Sequence, residues 1–367
     1  MTATFPSVPE QLSAEWLTDV LRGGGHLGLD RRVARFEVTP VGAGILCILV
    51  RLHLTYTAGP SGDGPATIVA KFAHPVEANR QIGINTRMYE REASFFNDIA
   101  GLVDVPKPTC YFADVVAETG ETVVLLEDLG DYRPGDQVAG VTVDEVRDII
   151  EAIVRLHAAF WDRTDVGLLH DTMRIDTSYV EPFLIGMDAT WERGAREFAA
   201  DIAPDVVPHL HRYAAQMRPL MRRMGAFPQT VVHGDARVDN VMFADRPGHH
   251  PVMLIDWQAV MVSNPLHDLA YLISQSLDVE PRRANEAELV EQYHRALCRL
   301  GVTGFTLERC WEAYDIAVLM LFSCTLIIAG ISQPEDAQSV ALGAAVLRRA
   351  SWTVSDRNLM ALLDPTD

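Results

Sequence analysis

The segment Val231-Val232-His233-Gly234-Asp235-Ala236-Arg237-Val238-Asp239-Asn240-Val241-Met242-Phe243 sets an acidic, amide-bearing stretch between apolar flanks. Flanks of that kind read as short buried strands, so the loop between them is held from both ends. A second apolar run, Val252-Met253-Leu254-Ile255, ends directly on Asp256.

Asp235 and Asn240 stand five positions apart behind His233. In the H-x-D-x-x-x-x-N arrangement that spacing aims one carboxylate at an attacking hydroxyl and an amide carbonyl at a metal that bridges nucleotide phosphates. A carboxylate at the end of a buried strand, as Asp256 is, suits Mg²⁺, a hard ion that prefers oxygen ligands.

HGDARVDN followed by LIDWQ resembles the aminoglycoside phosphotransferase and choline kinase superfamily, in particular its ecdysteroid-kinase-like branch, over most of the chain. The resemblance implies an α+β, bilobal protein-kinase-like fold. A small β-rich N-lobe, residues 1–129, would bind nucleotide with strands, a Gly-rich turn and one main helix, and a mostly helical C-lobe, residues 130–367, would carry the catalytic loop and the acceptor site. It also implies Asp235 as the catalytic carboxylate, Asn240 and Asp256 as metal ligands, and ATP with Mg²⁺ as phosphoryl donor.

The N-terminal third supplies the remaining parts. The chain holds two lysines, Lys71 and Lys107, against 29 arginines. Lysine kept at the end of the strand TIVAKF suits a compact ammonium that pairs nucleotide phosphates, where a wide guanidinium would not fit. Its expected partner is Glu92, whose place fourteen positions before Pro106 is close to the spacing that the resemblance implies, rather than Glu90, which faces another side of the helix. Gly42 and Gly44 stand in the turn that would cover the phosphates, although VGAG is only part of a G-x-G-x-x-G pattern. LLEDLGD resembles the hinge of that superfamily, which implies that backbone groups from Glu127 to Leu129 hold an adenine edge.

Strands are expected over 36–56 as a glycine-turn hairpin, then at 67–72, 108–114 and 122–129, with 57–66 a polar Gly/Pro loop. A helix is expected over 85–102, with Asn85 as N-cap and Gly101 as stop. Past YRPGD long amphipathic segments begin with residues 143–161.

A net charge of -19 and pI near 5.0 argue against a nucleic-acid binder and suit a cytoplasmic protein. The five cysteines form no C-x-x-C pair and read as reduced, buried residues, and the N-terminus has no signal-peptide pattern. The apolar stretch 316–331, with Asp315 at one end, is shorter than the ~20 residues a bilayer requires and reads as a buried helix.

His233 and Asp268 read as braces of the loop, His157 as a hydrogen-bonded core histidine, Asp239 as a solvated turn residue and Arg237 as a surface cation. His249, His250 and His267 lack the spacing of a hydrolytic metal site.

Only eight residues separate Asp256 from Pro265, too few for a segment that orders a peptide substrate, and no Arg follows His233. The expected reaction is transfer of the ATP γ-phosphoryl group to a hydroxyl of a small molecule. The alternative is an inert pseudokinase that binds nucleotide or a partner. Asp176, Glu181, Asp188 and Glu192 would suit a cationic acceptor, and Trp161, Tyr179, Phe183 and Trp191 an apolar one; the balance leans to the apolar.

Overall fold

The computed structural model describes residues 4–57, 64–163 and 181–363. Asp176 and Tyr179, and most of the loop expected at 57–66, lie outside them. The chain divides into two compact units, the first built from 1–102, 107–132 and 256–259, the second from 103–106, 133–255 and 260–367. The lobe boundary expected after residue 129 runs close to this division, but the assignment of Asp256–Ala259 to the first unit has no counterpart in it.

The first unit is a five-stranded antiparallel sheet of order β1-β2-β3-β5-β4, from β1 (Val33–Ala43), β2 (Cys47–Tyr56), β3 (Thr67–Ala73), β4 (Cys110–Val116) and β5 (Glu121–Glu127). Pro40 sits on the edge strand β1, where a missing N–H costs no ladder bond, and the register shifts between Pro40 and Gly42. The inward face of the sheet buries Leu52, Ile68, Phe72 and Leu125, with Leu17 and Leu21 of α1 (Ala14–Gly23) packed onto it.

The connection from β3 to β4 corrects two expectations. Among the described residues this unit has three α-helices, not one main helix: α1 and, between β3 and β4, α2 (Glu77–Asn85) followed by α3 (Met88–Ser94). Asn85 is the last residue of α2 and not an N-cap; the chain breaks at Arg87, which takes a left-handed φ of 55°, before α3 starts.

The second unit is mostly helical. A capping box of Thr142 and Glu145 starts α4 (Val143–Ala159). The other helices are α5 (Glu181–Glu197), α6 (Leu210–Ala215), α7 (Met217–Gly225), α8 (Leu266–Ser276), α9 (Val279–Arg299), α10 (Leu307–Ile331) and α11 (Ala337–Asp356). Where α5 crosses α10 the backbones nearly touch: a Cβ on Gly330 would lie 2.2 Å from the Thr190 carbonyl oxygen.

α10 is long and apolar enough to cross a membrane, yet 72% of its most apolar window is buried inside the chain. It begins at the Thr306 cap, so Asp315 lies within the helix, not at its end, and binds Arg357 at 2.5 Å. The cysteines are all free, but against expectation Cys298 is exposed and Cys110 and Cys324 are half-buried, leaving Cys47 and Cys310 as the buried ones.

Short strands hold the loop of the opening segment. β7 (Thr230–Val232) pairs with β10 (Met261–Ser263), and β8 (Val241–Ala244) pairs with β9 (Val252–Leu254), with β6 (Tyr132–Pro134) on the outer side of β8.

Candidate functional site

In the first unit the sheet delivers Lys71 from β3 and α3 delivers Glu92, and their side chains meet at 2.9 Å, buried on both sides. Lys71 Nζ also lies 2.8 Å from Asp256 Oδ1, so one ammonium serves two carboxylates. Glu90 turns away and pairs with Arg87 at 2.8 Å.

Burial opposes the charge on Lys71, but the carboxylates of Asp256 and Glu92 outweigh it and hold its pKa above the ordinary range. Burial likewise pushes Glu92 up to about 7, against the pull of Lys71. Cys47, a neighbour of this cluster, is pushed up to about 12 by burial and is an unreactive thiol.

Asp256 adopts a left-handed backbone with φ 62°, an uncommon state for a residue with a Cβ that marks a position fixed by its surroundings. The surroundings are specific. The backbone N–H of Trp257 donates to Glu92, and its indole stacks on Phe95 at 3.7 Å between ring centres and 6° between planes. Arg91 Nη1 donates to the carbonyl of Ala259 at 3.1 Å, and Gln258 Nε2 to Cys47 Sγ at 3.1 Å. Residues following Asp256 are thereby clamped to α3 and β2.

Gly42 and Gly44 are exposed near the β1–β2 turn, where the Gly44 N–H bonds the Cys47 carbonyl at 2.9 Å. Asn79 Nδ2 holds the Ile45 carbonyl at 2.7 Å and Tyr89 Oη the Leu46 carbonyl at 2.6 Å, which ties the turn to α2 and α3. At the expected hinge, the Glu127 N–H is committed to Thr109 at 2.8 Å and the Leu129 carbonyl to Tyr132 at 2.9 Å. An adenine edge would have to use other backbone groups of that segment.

In the second unit the catalytic-loop candidates come together on α8. The buried carboxylate of Asp268 accepts the backbone N–H of His233 at 2.7 Å and of Gly234 at 2.9 Å, and lies 3.0 Å from His157 Nε2. Burial would raise its pKa, but the hydrogen bond from His157 and the nearby His267 and His233 bring it down to about 2. Gly234 takes φ 83°, a turn that frees both N–H groups to face Asp268. His157 Nδ1 is 2.7 Å from Tyr293 Oη, and His233 Nε2 is 3.0 Å from the Ile255 carbonyl. The bracing roles read from the sequence for His233 and Asp268, and the reading of His157 as a hydrogen-bonded core histidine, match these contacts.

Asn240, almost fully buried, donates through Nδ2 to the Asp235 carbonyl at 2.9 Å and to Asp235 Oδ2 at 3.0 Å. With its nitrogen so committed, its amide oxygen is turned the other way, as a metal ligand requires. The Asn240 carbonyl also accepts the N–H of Ile255 at 3.0 Å, and the next residue in the chain is Asp256.

Two residues of this loop differ from expectation. Asp239 is no free turn residue: its Oδ1 accepts the N–H of Gln137 at 2.7 Å. Arg237 is half-buried, with Nε 3.5 Å from Asp235 Oδ2. His267 lies inside the fold, 3.3 Å from the Gly234 carbonyl, and among the described residues no group of His, Cys, Asp and Glu could hold a metal by itself.

Comparisons with known proteins agree on the class. The model of the ecdysteroid kinase-like family matches residues 41–301. A kinase-like protein of Caenorhabditis elegans is 20% identical over 246 residues, and the match covers 65% of this chain and 65% of that relative. A choline kinase from Cryptosporidium parvum Iowa II superposes with TM-score 0.55 at 11% identity, covering 95% of this chain and 98% of that one. A microcompartment-associated aminopropanol kinase gives 0.54 at 14%, covering 94% and 98%. An aminoglycoside 2'-phosphotransferase in complex with GDP gives 0.52 at 12%, covering 94% and 99%. At these identities the likeness is one of fold, which is that of the kinase-like phosphotransferases.

Proposed function

The chain belongs to the ecdysteroid kinase-like family, and on that premise we propose that it is an ATP- and Mg²⁺-dependent kinase that phosphorylates a hydroxyl of a small molecule. The observation that carries the reading is Lys71 held between Glu92 and Asp256: a buried cation kept charged where phosphates would need it. An inert fold has no need to bury and pair these groups in the order the chemistry uses.

In the proposed mechanism Lys71, braced by Glu92, holds the α- and β-phosphates. Asp256 and Asn240 would hold Mg²⁺; both offer oxygen donors, and the amide nitrogen of Asn240 is already committed elsewhere. When bound, the ion neutralises charge on the phosphates. Asp235 orients the acceptor hydroxyl and accepts its proton as the new P–O bond forms and the bond to the leaving β-phosphate oxygen breaks. The turn at Gly42 and Gly44 covers the phosphates with backbone.

The acceptor is a hydroxylated small molecule. The similar structures are named for choline, aminopropanol and aminoglycosides, and the family for an ecdysteroid. The lean to an apolar acceptor rests on the aromatic content of the region of Trp161, Phe183 and Trp191 in the sequence. Soluble small-molecule turnover fits a cytoplasmic location.

The test is thermal melting with Mg²⁺, ATP and both together. Ligand at a hundredfold excess over Kd stabilises by about 2.7 kcal/mol. A metal-dependent shift that disappears in Asp256→Ala supports the reading, and Asp235→Asn should keep the shift but lower ADP release by about 10²-fold or more. No shift at millimolar nucleotide in a folded protein would transfer the assignment to a nucleotide-independent binding module.

A further inference from the structure

The carboxylate of Asp268, in the first turn of α8, takes the N–H groups of His233 and Gly234 and so holds the start of the loop. The far end of the loop is the short turn Val238–Asn240, whose last residue is the candidate metal ligand. Residues 135–137, which follow β6, grip that turn through the backbone and one side chain. The Gly135 N–H donates to the Val241 carbonyl at 2.9 Å, the Gln137 N–H to Asp239 Oδ1 at 2.7 Å, and the Val238 N–H to Gln137 Oε1 at 2.8 Å. A Cβ on Gly135 would lie 1.9 Å from the Val238 carbonyl oxygen, so glycine is what lets the two backbones come this close.

Gln137 is only 1% exposed, and both ends of its side-chain amide are used. The oxygen takes the Val238 N–H and, at 3.2 Å, the Ser276 hydroxyl, while the nitrogen donates to the Gln275 carbonyl at 2.8 Å. An amide can accept from an N–H and donate to a C=O at once. A carboxylate would have no donor for Gln275, and a hydrocarbon would take the acceptor away from the Val238 N–H. Arg349 of α11, as deeply buried, donates to the Gln137 carbonyl at 2.6 Å and the Val138 carbonyl at 3.1 Å and pairs with Asp278 at 2.8 Å, which holds the bridging segment in place.

We propose that Gln137 is a positioning residue for the Asn240 amide, tying the far end of the loop to the C-terminal end of α8. The proposal rests on the phosphotransferase reading above. α8 then holds the loop at both ends: directly through Asp268, and through Gln137 at Gln275 and Ser276, two helical turns or about 10 Å further on. A rigid helix thereby sets the span from His233 to Val238, and with it the placement of Asp235 and Asn240. The Asn240 nitrogen is bonded to Asp235, so a turn that slips carries the amide oxygen out of the direction a metal needs.

The experiment follows thermal melting of the full chain while ATP is titrated at a fixed excess of Mg²⁺, and again in EDTA. Gln137→Met keeps the length of the side chain and removes its donor and its acceptor. It should raise the ATP half-point of the melting shift about tenfold with Mg²⁺. The response to ATP in EDTA should stay as in wild type, because Lys71 and the turn at Gly42 and Gly44 are untouched. Each half-point is measured from the variant's own ligand-free melting point, so a general loss of stability does not enter it.

An unchanged half-point with Mg²⁺ overturns the proposal, and so does an equal rise with and without the metal, which is the mark of a merely structural glutamine. If Gln137→Met does not fold, Asp239→Ala carries the test: Asp239 is half-buried, and its loss frees the same turn from the Gln137 N–H. The half-point with Mg²⁺ should again rise, and an unchanged one overturns the proposal. A wild type whose melting point ignores Mg²⁺ and ATP fails the phosphotransferase reading and the proposal with it, whereas an unaffected Gln137→Met beside a responsive wild type leaves the reading standing.

Discussion

The ammonium of Lys71 lies 2.8 Å from a carboxylate oxygen of Asp256, a residue 185 positions further along the chain. With Glu92 on its other side, Lys71 pairs with both acids together. Removing it by Lys71→Ala leaves a buried carboxylate without its cation, which costs about 3–5 kcal/mol. The urea midpoint of folding should fall accordingly. The double variant Lys71→Met, Glu92→Gln, which removes the buried pair together, should recover most of the loss; a single and a double variant of equal stability would show that the pair is not coupled.

The stack of Trp257 on Phe95 ties the residue after Asp256 to the segment after α3. Trp257 is fully buried, and Trp257→Ala should cost about 3–5 kcal/mol through the cavity it leaves. Trp257→Phe keeps an aromatic face and should lose less than half as much. Both variants also loosen the clamp that fixes Asp256, so the melting shift with Mg²⁺ and ATP should shrink in the order of their destabilisation. A full shift in Trp257→Ala would mean that Asp256 keeps its position without the stack.

How far this was legible in the sequence depended on whether a residue's partners lay in its own motif. Asp235, Asn240 and Asp256 have fixed spacing, and Lys71 with Glu92 followed from lysine scarcity and helix phase. Asp268 could be read as a brace because it opens a helix just after the loop. Trp257 and Arg91 carry no such signal: their work depends on Phe95 and Ala259, which the fold alone brings to them. Periodicity also misplaced Asn85, since the apolar positions of α3 say nothing about the left-handed break at Arg87 that separates it from α2. Asp239 failed for the same reason, because Gln137 is 102 positions away.

Gly42 offers a test free of folding effects. It has an ordinary φ, and a Cβ built there meets nothing within 4 Å, so Gly42→Ala should change stability by less than about 0.5 kcal/mol. If the turn covers nucleotide phosphates with its backbone, the added methyl would stand in the way. The melting shift with Mg²⁺ and ATP should then weaken, with no change in the melting point of the protein alone. An undiminished shift would remove Gly42 from the nucleotide site.

Asp268 gives the chain a definite response to acid. Folding lowers its pKa from an ordinary 3.8 to about 2, because the His157 hydrogen bond and the nearby histidines outweigh its burial. The folded protein therefore holds that proton less readily than the unfolded one. The contribution is fully present above the unfolded value, and it is lost as pH falls from about 3.8 through about 2. Asp268→Asn removes it at every pH and leaves at least one of the two backbone N–H groups of His233 and Gly234 without a good acceptor, at about 1–3 kcal/mol. Urea titrations at pH 7 and at steps below 4 should show wild type ahead of the variant at neutral pH and the gap closing as acid is added. A gap that stays constant down to the lowest pH would mean that His157 and its neighbours do not hold the Asp268 charge, and that the loop rests on α8 by hydrogen bonds alone.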